Sequence, residues 1–146
     1  MRLRDIAIVA GYALAVMVLN VAASFAMVWF YATFVEPGHP QAFYNAFAMR
    51  AAPISSVVAG VPLMFIAGML IARRRERRAA LIAAAAIALV YIAVDSAIMI
   101  AAGVSPDMWT WELISYPTKL LAAIAGGAVG SRARRRDGGL PVGEPS

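Results

Sequence analysis

Four uninterrupted apolar stretches constrain this chain more than any other feature: Ile6 to Val35, Ala51 to Ala72, Ala79 to Val104 and Leu113 to Gly130. Each meets or exceeds the roughly 17 residues that a helix needs to cross a hydrocarbon core about 30 Å thick. Lipid offers the backbone no hydrogen-bond partners, so segments of this kind must satisfy their own N–H and C=O groups as helices. Hydrophobic residues make up 62% of the 146-residue chain and charged residues only 14%, far from the balance of a water-soluble domain. The expected fold is all-α: an integral membrane protein built as a four-transmembrane-helix up-down bundle over residues 1–131. A basic, Gly/Pro-rich tail over 132–146 is expected to lie disordered in solution.

Charge placement gives the orientation. Eleven of the thirteen basic residues fall in three clusters: Arg2 with Arg4, Arg73 to Arg75 with Arg77 and Arg78, and Arg132 with Arg134 to Arg136. Each abuts the end of an apolar stretch. The positive-inside rule assigns all three to the cytoplasm, which four spans allow only if both termini lie there. A pI near 10.2 would also suit a nucleic-acid binder. Arginines set at span ends read instead as orientation signals with affinity for anionic lipid, so the expected partners are the bilayer and anionic lipid, not nucleic acid. A bacterial inner membrane is the expected location. Arg2 and Arg4 ahead of an apolar run resemble a cleavable leader, but Asp5 interrupts the basic start and the run continues to Val35, so a retained first span is expected.

Between the first two spans, Pro37, Gly38 and Pro40 force a turn after an aromatic belt of Trp29, Phe30, Tyr31 and Phe34. Phe43, Phe47 and Arg50 recur at helical spacing, which predicts a short amphipathic helix on the outer surface before Pro53 restarts the chain. Pro62 predicts a kink within the second span. The link Arg73 to Arg78 makes spans two and three antiparallel neighbours.

Lys119 and Asp95 are the only charged side chains set well inside the apolar stretches. Depth follows from counting at about 1.5 Å per residue. Asn20 is 16 residues from Arg4, Ser56 is 17 from Arg73, Asp95 is 17 from Arg78 and Lys119 is 13 from Arg132. All four therefore fall roughly 20–26 Å from the arginine clusters. They form one polar layer, and Tyr116 lies beside it. On span four, Ser115, Lys119, Ala123, Gly126 and Gly130 follow one side. On span two, Ser56, Gly60 and Gly68 do the same. Gly60, Gly68, Ala123, Gly126 and Gly130 are thus the expected close-packing residues, with Gly126 and Gly130 a GxxxG pair.

An ionised side chain at the centre of a span is unfavourable by about 2.5–3.5 kcal/mol, and pairing is the usual way to reduce it. An Asp95–Lys119 ion pair is the first expectation. With Asn20, Ser56 and Tyr116 it would form an outer-facing site that binds or transports a small solute, an ion or a proton. The competing expectations are a structural pair fixing helix register and a Lys119 that snorkels to the headgroups. Nothing marks an enzyme: GxSxG, HExxH, P-loop and GxGxxG patterns are missing, and cysteine is absent. No cofactor is indicated. His39 with Glu36, Asp107 and Glu112 is a weak metal set, since one histidine beside a Pro/Gly turn is ordinarily a loop residue. Arg50 is expected to form a plain surface pair with Glu36 or Glu112. Small helices enclose little volume, so a homo-oligomer or a membrane-protein partner is expected. The alternative to a transporter is a non-catalytic accessory subunit of a larger membrane complex.

Overall fold

The computed structural model describes residues 3–73, 75–104 and 106–137, and among them the fold is entirely helical. Helix α1 spans Leu3–Phe30 and runs into a π-helical turn, Tyr31–Val35. Helices α2, α3 and α4 span Gln41–Ala72, Arg77–Ala101 and Pro106–Asp137. All four are long and apolar enough to cross a membrane. The expected tail residues 138–146 lie outside the described residues, as do Arg2 and Arg74.

Cross-helix contacts fix the up-down arrangement. Asp5 at the start of α1 bonds Arg75 in the α2–α3 link at 2.9 Å, so these helix ends share one end of the bundle. Along α2 and α4, Gly60 meets Lys119, Phe65 meets Gly126 and Met69 meets Gly130, an ascending register that makes the two helices parallel. The α2–α4 interface is the most extensive in the fold, while α2 and α3 each touch all three other helices. Two glycines with positive φ, Gly38 at 86° and Gly103 at 63°, turn the chain at the opposite end, in a region that disfavours residues bearing a Cβ.

Packing is inverted relative to a soluble bundle. The buried set is small: Ala13, Ala67, Ala80, Ala84, Ala88 and Ala123 lie inside, with Met64, Ile87 and Tyr91 as the larger fillers. Large apolar side chains such as Leu14, Val18, Phe25, Val58, Leu89 and Leu121 point outward. In water a continuous surface of that kind would be an aggregation liability, whereas small interior residues are what lets helices approach in lipid.

Two expectations about the backbone need correction. Gln41 to Arg50 is not a separate surface helix but the first part of α2, which runs unbroken through Pro53 and Pro62. The helix-favouring run Gln41 to Arg50 continues without a cap into the span. A membrane helix also tolerates the hydrogen bond lost at each proline when its neighbours support it. Likewise, Ser131 to Asp137 continues α4 instead of beginning a disordered tail.

Candidate functional site

Lys119 is 0% exposed, the most deeply buried cation among the described residues. Its Nζ donates to Ser56 Oγ at 2.7 Å and to the Tyr91 hydroxyl at 3.3 Å. The Asn20 amide donates to the same hydroxyl at 3.1 Å. All four helices thus contribute to one polar cluster. Gly60 makes room for it: a Cβ placed there would come 2.7 Å from Lys119 Cε and 3.3 Å from Asn20 Oδ1. Here the glycine accommodates a lysine stem, whereas the glycines below it accommodate backbone. Ser24 joins α1 to α2 just beyond this layer, sharing a hydrogen bond with Ser55 at 2.8 Å.

The expected Asp95–Lys119 pair is not formed. The carboxylate facing Lys119 is Glu112, whose Oε2 lies 4.0 Å from Nζ and whose side chain is 14% exposed. Asp95 instead accepts a hydrogen bond from the Tyr116 hydroxyl at 3.0 Å, and Ser96 Oγ donates to that hydroxyl at 3.3 Å. Tyr116 precedes Lys119 by three residues, which places it about 60° further round the helix, so Asp95 meets a different face of α4. The structure therefore brings Asn20, Ser56 and Lys119 together and leaves Asp95 and Tyr116 in a second, half-buried cluster. Lys119 does not snorkel.

Three polar atoms in the first cluster are buried without a hydrogen-bond partner: Asn20 Oδ1, Glu112 Oε2 and Ser115 Oγ. Buried polar groups are satisfied in the great majority of cases, so three such oxygens together around one lysine mark a place able to accept further hydrogen bonds. Glu112, Ser115 and Lys119 lie on one side of α4, spaced three and four residues apart. That spacing was the available signal for Glu112, which the sequence alone assigns to the loop. Tyr91 and Gly127 were missed too; a Cβ on Gly127 would stand 2.9 Å from Ala84 Cβ, so it packs α4 on α3.

The remaining candidates separate. His39 Nε2 lies 2.9 Å from Glu36 Oε2 in an exposed turn, while Glu112 is committed beside Lys119; the Asp107 side chain lies outside the described residues. Among the described residues Arg50 pairs with no acid: its Nε donates to the Ala46 carbonyl at 3.3 Å, one turn back on its own helix. Tyr31 stacks on Phe47 at 3.8 Å, which ties the π-helical turn to α2.

Compared with protein-family models, with curated proteins and with solved structures, the chain matches none.

Proposed function

We propose that this protein is a non-catalytic bacterial inner-membrane protein, with both termini cytoplasmic, that binds and transfers protons at the Lys119 cluster. The observation carrying this reading is Glu112, a largely buried carboxylate whose Oε2 stands 4.0 Å from the fully buried Lys119 Nζ, with Asn20 Oδ1 and Ser115 Oγ beside them still able to accept hydrogen bonds. A solute of any size needs an open chamber, whereas a proton needs only a chain of donors and acceptors. Lys119 is packed against Gly60 on one side and held by Ser56 and Tyr91 on the other, which favours the proton. In the elementary step, one N–H bond of Lys119 breaks and an O–H bond forms on Glu112 through one bridging water, which takes the lysine proton as it gives up its own, because 4.0 Å is too long for direct transfer. The neutral pair that results lacks two charges that are expensive inside lipid. Glu112, partly exposed toward the end opposite the arginines, is the exchange point with that side.

Purified protein in liposomes loaded with a pH-sensitive dye tests this. Wild type should dissipate an imposed pH gradient, and Lys119→Met and Glu112→Gln should each abolish the flux. Wild-type flux no greater than that of empty liposomes, with or without a membrane potential, refutes it.

A second reading, that of an accessory subunit, has its own observation. Asp95 and Ser96 are only half-buried within a span, and a carboxylate there facing lipid is unfavourable unless something covers it. A second copy or a partner helix docked on this α3–α4 edge supplies that cover. Stoichiometric co-purification in mild detergent, lost in Asp95→Leu, is the outcome this reading requires.

A further inference from the structure

We propose a second site, for the headgroup of one anionic phospholipid, at the arginine-rich end of the bundle and remote from Lys119. A cleft of about 760 Å³ opens there between the start of α1 and the end of α2. Arg4, Arg73 and Arg75 line its mouth, with Asp5 the one acid among the lining residues. Asp5 is engaged by Arg75 at 2.9 Å, an ion pair that holds this guanidinium in place before any ligand arrives. Arg4 and Arg73 have no carboxylate partner among the described residues. The cleft thus carries an excess of positive charge arranged as two open forks and one fixed one. Guanidinium groups bind phosphate oxygens in bidentate fashion, so the charge type and the donor geometry both select a phosphate.

The wall selects a lipid over a soluble phosphate ester. Ile8, Leu70 and Ile71 line the cleft toward the middle of the spans, and Tyr12 continues that wall one turn deeper along α1. A phosphate held at the mouth would set its glycerol and acyl chains against this aliphatic surface. The site also differs from general attraction of basic segments to a charged leaflet. Arg77, Arg78 and Arg132 lie near the same end and do not line it. General attraction weighs each of these arginines alike, whereas a built site weighs Arg4 and Arg73 far more.

The experiment places the full chain in phosphatidylcholine nanodiscs with or without phosphatidylglycerol, then counts lipid retained after detergent extraction by native mass spectrometry. Wild type should keep one phosphatidylglycerol per chain and gain thermal stability from it. R4Q/R73Q should weaken retention roughly thirtyfold, the effect of two arginines near a surface, while R77Q/R78Q, with the same loss of charge, should stay within about threefold of wild type. Leu70→Glu, at an exposed lining position, adds a carboxylate and leaves every arginine intact; it should also lose the lipid, and it decides the matter if R4Q/R73Q does not fold. Equal losses from the two arginine double variants, or retention by Leu70→Glu, overturns the site. Glycerol phosphate added to phosphatidylcholine nanodiscs should give no stabilisation. Protection equal to that from phosphatidylglycerol would make the ligand a soluble phosphate ester and overturn the lipid assignment.

Discussion

Gly126→Ala is the most exacting perturbation this fold offers, because a methyl group there has nowhere to go. A Cβ on Gly126 overlaps the backbone carbonyl of Phe65 and stands 3.0 Å from the Met69 amide nitrogen, both on α2. A backbone carbonyl within a helix cannot rotate aside as a side chain can. Carbon to carbonyl-oxygen contacts settle near 3.3–3.6 Å, so α2 and α4 must part locally by roughly 1 Å. A gap of that size forfeits up to half of each dispersion well along the widest interface in the molecule. Overpacking ordinarily costs about 1–3 kcal/mol, and the immobile obstacle places Gly126→Ala at about 3 kcal/mol.

The control is Gly11→Ala on α1, where a Cβ meets nothing within 4 Å. That change should be neutral, or stabilising by up to about 1 kcal/mol through helix propensity. Reversible unfolding of both variants by SDS titration in mixed micelles, followed by circular dichroism, gives the difference directly. Gly68→Ala, which meets the Ala123 carbonyl, should resemble Gly126→Ala. The double variant should fall short of additivity, because one separation of the helices relieves both clashes. A Gly126→Ala protein within about 0.5 kcal/mol of wild type would refute the backbone-to-backbone packing on which the reasoning rests.

Other perturbations follow from the polar clusters. Lys119→Met leaves Glu112 without its cation and should destabilise the fold by about 3 kcal/mol, whereas Glu112→Gln/Lys119→Met should recover most of it, as replaced buried pairs often do; SDS titration reads both. In double-mutant cycles Lys119 should couple more strongly to Glu112 than to Asp95, and the reverse order would restore the pairing expected from depth alone. Tyr91→Phe removes an acceptor shared by Lys119 and Asn20 and should cost about 1–3 kcal/mol, with proton flux reduced in the same liposome assay. Gly60→Ala presses on the flexible end of Lys119 instead of on backbone, so it should lower flux more than stability, the opposite order to Gly126→Ala.

The contrast between the two kinds of glycine shows what a sequence of this type reveals and what it withholds. Span length and span-end arginines depend only on position along one axis, and the four helices are where the apolar stretches put them. Depth is also a one-axis quantity, which is why counting from the arginines brought Asn20, Ser56 and Lys119 to one level. Partner choice depends on rotation about the helix axis, and that is set by which small residues touch. On α4, Gly126 and Gly130 face α2 while Gly127 faces α3, so the helix is wedged between two neighbours and its azimuth is fixed. With that azimuth Lys119 points at Ser56 and Tyr91, and Tyr116 meets Asp95. Reading Asp95 and Lys119 as partners treated a shared level as a shared face. The unbroken α2 has a similar origin: Pro53 looks like a helix start when only its own missing N–H is counted, and its tolerance comes from neighbouring helices. Glu112 is the sharpest case. It belongs to the Lys119 face by its seven-residue spacing, two helical turns, yet its charge made the loop the natural assignment. In a bundle whose interior is mostly alanine, a single such carboxylate is enough to replace Asp95 as the acid that faces the lysine.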